Sequence, residues 1–139
     1  LALRQAEQKL TLSNTPTSKE TNSYELCVNL SSSQTLYLFA NADKTSYIKL
    51  SVDMVLGKLT LDRENLPVSW AEDYGYTRTT YFDTQTETLK LNLFADTSSL
   101  EIFVNDGEKV MSSRIFTEPE NTHLFADSAV TATFWKLEK

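Results

Sequence analysis

Tyr24, Leu26, Val28 and Leu30 occupy alternate positions, with Glu25, Cys27 and Asn29 between them. An apolar period of two sends every second side chain of an extended segment to the same side, so this stretch predicts a half-buried β-strand. The pattern returns at Leu36, Leu38 and Ala40, at Ile48, Leu50 and Val52, and at Leu59 and Leu61. It returns again at Leu89, Leu91 and Leu93, at Leu100, Ile102 and Val104, over Val110 to Phe116 and over Val130 to Leu137. Ser, Asn, Asp or Gly bounds the sets, which spaces about nine or ten short strands at hairpin intervals.

Such a series predicts an all-β fold, an antiparallel two-sheet β-sandwich of the jelly-roll or concanavalin-like kind. Asn105-Asp106-Gly107 separates two of the sets, and these residues tolerate the positive φ of a tight hairpin turn. Leu1 to Lys9 is rich in Leu, Ala, Gln, Glu and Lys and predicts a short helix, followed by a polar break at Asn14-Thr15-Pro16-Thr17-Ser18. The expected organisation is an interdomain linker over residues 1–20 carrying that helix, then one sandwich domain over 21–139. Pro67 to Tyr76 has no clear periodicity and predicts the longest surface loop, with Trp70 in it. A chain of 139 residues buries about 68–70% of its unfolded surface, enough for one two-layer core.

The formal net charge of −6, without any block of Lys and Arg, would repel phosphate backbones and anionic lipid heads, so neither nucleic acid nor a membrane surface is an expected partner. No apolar run approaches the ~20 residues of a membrane helix. The start, Leu1-Ala2-Leu3-Arg4, lacks both a Met and the charged-then-apolar order of a secretory signal, which points to a fragment. Cys27 is the single cysteine, so no internal disulfide can form, and a cytoplasmic location is expected.

Few residues offer chemistry. One His and one Cys cannot build a nitrogen and sulfur metal site, and no metal or cofactor is expected. His123 reads as a solvated loop residue, because no Gly-x-Ser-x-Gly turn presents a nucleophile to it. Glycines 57, 75 and 107 lie too far apart to cradle a phosphate. Carboxylates such as Asp96 and Glu101 are first read as a solvated sheet face, although a glycosidase needs such a pair. Cys27 and Trp135, both on strands, read as packed side chains, whereas Trp70 is the freer candidate for stacking on a sugar.

Ser98-Ser99-Leu100-Glu101-Ile102-Phe103-Val104-Asn105-Asp106-Gly107-Glu108, followed by Ser113-Arg114-Ile115-Phe116, closely resembles the C-terminal domain of glycoside hydrolase family 32. Leu3-Arg4, Lys58 to Arg63 and Ala132-Thr133-Phe134-Trp135-Lys136-Leu137 resemble the same domain in the expected order. The resemblance implies the β-sandwich that follows a catalytic five-bladed β-propeller in sucrose-6-phosphate hydrolases, invertases, levanases and inulinases. The family's Asn-Asp-Pro-Asn-Gly-like, Arg-Asp-Pro and Glu-Cys motifs do not occur here, so no catalytic role carries over to any residue. The implied role is a structural module for that propeller, and a homo-oligomer formed through the full-length protein belongs to the same expectation. The rival is a fructan-binding module with Arg78, Asp96, Glu101 and Arg114 contacting fructose-containing sugars. Against it stands an expected ion pair between Arg114 and Glu101, closed by Arg78 and Asp96, which would leave a neutral sugar little to gain.

Overall fold

A computed structural model of the chain describes residues 3–63, 77–115 and 117–138. They form two antiparallel sheets. One runs in the order β1 (Leu3–Arg4), β13 (Val130–Glu138), β4 (Tyr24–Leu30), β9 (Leu89–Asp96), β10 (Ser99–Val104) and β11 (Lys109–Arg114), with β2 (Gln8–Leu12) also paired to β13. The other runs β3 (Thr17–Ser18), β12 (His123–Ala126), β5 (Gln34–Ala40), β6 (Ile48–Asp53), β7 (Lys58–Asp62) and β8 (Thr77–Tyr81). No helix among the described residues is long and apolar enough to cross a membrane.

The period of two does what it predicts. Leu26, Val28, Leu91, Leu93, Leu100, Ile102 and Phe134 point inward from the first sheet and are fully buried. They meet Leu36, Leu38, Ile48, Leu50, Leu59 and Leu61 from the second. Each such side chain stabilises the fold by about 1.5–3 kcal/mol relative to exposure, which is what holds the two layers together. The alternation fails at Phe39, where Leu38, Phe39 and Ala40 are buried in succession. Phe39 has φ 51°, and the pairing of β5 with β12 shifts register between His123 and Phe125, as a bulge does when it turns a side chain to the other face.

The Asn105-Asp106-Gly107 hairpin forms as expected. All three residues have positive φ, the Gly107 amide donates to the Val104 carbonyl, and Val104 pairs with Lys109. Lys90 clamps the turn from β9, giving its backbone amide to Asn105 Oδ1 and its ammonium to Asp106.

The N-terminal segment corrects the sequence expectation, since its described residues contain no helix. Leu3 and Arg4 pair with Glu138 and Leu137, and Gln8 to Leu12 pair with Phe134 back to Val130. Helix propensity over nine residues is worth little, because isolated helices that short are marginal in water, whereas the open edge of β13 offers a ready ladder of hydrogen bonds. His123 is likewise not in a loop. It opens strand β12, paired with Ser18 and Ala40, and is half-buried.

Candidate functional site

The outward faces of the two sheets differ in chemistry. On the second sheet, Lys49 pairs with Asp62, Ser51 with Thr60 and Thr60 with Thr79, a polar surface suited to water. At one end of it Tyr37 and Tyr47 stack with centroids 5.0 Å apart, and Tyr37 donates its hydroxyl to Asp127 at 2.8 Å. Burial, aided by that hydrogen bond, pushes the Tyr37 phenol up to about 12.

The first sheet presents aromatic rings and a buried carboxylate instead. One row across it pairs Trp135 with Glu25, Glu25 with Phe94, Phe94 with Glu101 and Glu101 with Ser112. Phe94 meets Phe103 edge to face at 5.5 Å. Trp135 therefore stands on the outer face, contrary to its reading as core, and its neighbour Phe134 fills the space between the sheets. Glu25 falls on the outer side as its alternation predicts, yet it is only 1% exposed. Arg4 covers it from β1, donating Nε to Oε1 at 2.7 Å and Nη2 to Oε2 at 2.8 Å, and Asn92 adds a third donor at 3.2 Å. A charge can be buried only when it is paired and hydrogen-bonded, and this one is.

The four residues named from sequence do not form one cluster. Arg78, Glu101 and Arg114 line a shallow cleft of about 240 Å³ where the edge strands β8 and β11 approach, together with Ser99 and Ser112. Asp96 lies instead in an adjoining hollow of about 380 Å³ with Phe94, Phe103 and Leu137, and accepts the Thr97 amide at 2.7 Å. Ser99 and Glu101 line both. The expected ion pair is not made. Glu101 pairs across the ladder with Ser112 and Arg114 with Ser99, so the two charges are diagonal neighbours, and no salt bridge joins them among the described residues. Trp70 and the Pro67 to Tyr76 segment lie outside the described residues. Among those that are described, no group of three His, Cys, Asp or Glu side chains is placed to hold a metal ion.

Sequence would not have found the Glu25 site by alternation alone, because a strand pattern reports which face a residue takes and not what covers that face. The signal available was Leu3-Arg4, whose arginine is the cover.

Comparison with known proteins follows the same outline. The profile of a family described as "Glycosyl hydrolases family 32 C terminal" matches residues 2–138. A sucrose-6-phosphate hydrolase of Staphylococcus xylosus is 36% identical over 122 residues, covering 86% of this chain and 24% of that protein. One of Lactococcus lactis subsp. lactis is 33% identical over 142 residues, covering 99% and 26%. The solved structure of sucrose-6-phosphate hydrolase from Lactobacillus gasseri superposes with a TM-score of 0.86 at 30% identity, over 98% of this chain and 29% of that one. Exo-inulinase from Aspergillus awamori shares the fold, with a TM-score of 0.80 at 22% identity over 98% of this chain and 29% of that one. The chain thus spans about a quarter of the length of the curated relatives it matches.

Proposed function

Since the chain belongs to the glycosyl hydrolase family 32 C-terminal domain family, we propose that it is a non-catalytic module that packs on and stabilises a catalytic β-propeller of the same polypeptide, a hydrolase of sucrose or sucrose 6-phosphate. The observation that carries this reading is the outer face of the first sheet. An antiparallel sheet with one face in water alternates apolar inward with polar outward, as the Lys49–Asp62 and Ser51–Thr60–Thr79 rows of the second sheet do. The first sheet places Trp135, Phe94 and Phe103 outward around the buried Glu25, the chemistry of a face covered on both sides. A cytoplasmic setting fits the same reading, because Cys27 has no second cysteine to pair with and burial pushes its thiol up, away from thiolate reactivity.

The test is made in the longer polypeptide. Replacing Phe94 and Phe103 together by Glu should uncouple the thermal transitions of the two parts and lower that of the catalytic one. An unchanged single transition counts against the reading.

A second reading, a fructose-containing sugar held by Arg78, Glu101 and Arg114, is supported by the missing ion pair, which leaves guanidinium donors available. Saturable heat on titration with fructose or levan, lost in Arg114→Ala, would favour it.

A further inference from the structure

One row across the outer face of the first sheet alternates ring and carboxylate, as Trp135, Glu25, Phe94 and Glu101. An arginine joins the first two. Arg4 lies 4.3 Å from the centroid of the Trp135 ring and donates two hydrogen bonds to the Glu25 carboxylate. The second ring and carboxylate repeat that order two strands further on, and there the face sinks into the hollow of about 380 Å³. Phe94 and Phe103, set edge to face, wall the hollow with Leu137, while Glu101 and Asp96 bring acid to it. Ser23 lines it too, and its hydroxyl is buried without a hydrogen-bond partner among the described residues.

We infer that this hollow receives one arginine side chain from the catalytic part of the same polypeptide, which makes with Phe94 and Glu101 the contact that Arg4 makes with Trp135 and Glu25. The inference rests on the docking reading and names what docks. In a chain of net charge −6, carboxylates beside aromatic walls suit a cation carried on an apolar stem. A planar guanidinium stacks on a ring and pairs with a carboxylate at once, which a compact ammonium does not reproduce. Its fork has more donors than one carboxylate takes, so a donor remains for the Ser23 hydroxyl. At about 380 Å³ the hollow sits at the lower end of the ~300–1,000 Å³ of ordinary ligand pockets, a site for one side chain and not for a strand. Position argues for the source. Leu137 pairs with Arg4, so the hollow lies at the end of the sheet where the chain enters, and the curated relatives carry most of their length outside the matched part. Arg78 and Arg114 line the adjoining cleft and not the hollow, and no salt bridge joins either to Glu101 among the described residues.

Nuclear magnetic resonance titration of the isotope-labelled 139-residue chain with N-acetyl-arginine amide at low ionic strength tests the recognition. The resonances of Ser23, Phe94, Glu101 and Phe103 are expected to shift saturably, and those of the second sheet not to move. N-acetyl-citrulline amide, of the same shape but neutral, should leave them in place. Glu101→Gln, at an exposed position that the fold tolerates, should weaken the arginine probe about fivefold, and Phe94→Leu should weaken it as well. No saturable shift, or an equal response to the citrulline probe, overturns the proposal. A second arm, in the longer polypeptide, separates this inference from the docking reading. Glu101→Arg should uncouple the two thermal transitions there, as the joint replacement of Phe94 and Phe103 by Glu should. If only the joint replacement uncouples them, docking stands and the arginine site falls, and if neither does, both fall. A dimer of the longer polypeptide that Glu101→Arg dissolves would seat a second copy in the hollow and overturn the proposal too.

Discussion

The guanidinium of Arg4 grips both oxygens of the Glu25 carboxylate while lying 4.3 Å above the ring of Trp135. Three strands contribute one residue each, β1, β4 and β13, so the contact fastens the first residues of the chain to the centre of the sheet. Its hydrogen bond to Glu25 raises the Arg4 guanidinium above its already high ordinary value, so the guanidinium stays charged.

Removing Arg4 strands a carboxylate that is 1% exposed. Breaking a buried pair costs about 3–5 kcal/mol, but Arg4 itself is 54% exposed and water can reach the gap, which scales the expected cost of Arg4→Ala down to about 1–3 kcal/mol. Urea unfolding measures it. The double variant with Glu25→Gln should be less destabilised than the sum of the single ones, and additivity would show that the two side chains are not coupled.

Two glycines with positive φ should respond differently to the same substitution. A Cβ on Gly57 would sit 2.4 Å from the Phe82 carbonyl oxygen, and the Gly57 carbonyl accepts the Phe82 amide at 2.8 Å, so the backbone has little room to yield. A Cβ on Gly107 meets nothing within 4 Å. Gly107→Ala should cost about 1–2 kcal/mol for its left-handed backbone alone, and Gly57→Ala distinctly more. Equal losses in denaturant melts would contradict the packing described around Phe82.

Alkaline pH should destabilise the fold through two phenols. Tyr37 is pushed up to about 12, first by burial and then by its hydrogen bond to Asp127, and burial also pushes Tyr24 up. An unfolded phenol ionises near pH ~10, so the folded state favours the protonated form of both. Their contribution is therefore fully present below about pH 10 and is lost as pH rises toward 12. Phenolate absorbance should lag behind that of the unfolded chain over this window, and stability should fall across it. Ionisation of every tyrosine together near pH ~10 in the still-folded protein would contradict the burial.

How much of this was legible in the sequence depends on what each residue reports. Strands β4, β5, β6, β7, β9, β10, β11 and β13 fall on the alternating sets, because a face buried against a second layer imprints its period directly. Strand β12 escaped, since the bulge opposite Phe39 breaks the period and buries Phe125 next to Leu124. The short β1 and β2 escaped because they are edge strands, held by the ladder of β13 and not by a run of apolar side chains. Arg78, Glu101 and Arg114 line one cleft, but among the described residues no salt bridge joins them. Glu101 and Arg114 share the outer face of the first sheet, while their diagonal register, which only pairing fixes, keeps them apart.

The central claim is that this sandwich supports a hydrolase and does not perform the chemistry. The direct measurement is fructose release by the purified 139-residue chain from sucrose and sucrose 6-phosphate. No release above background is predicted, since none of the family's catalytic motifs occurs in the sequence. Turnover that persists through repurification and tracks the protein would contradict the claim, and would move the search for an acid and a nucleophile to the carboxylates of the outer faces.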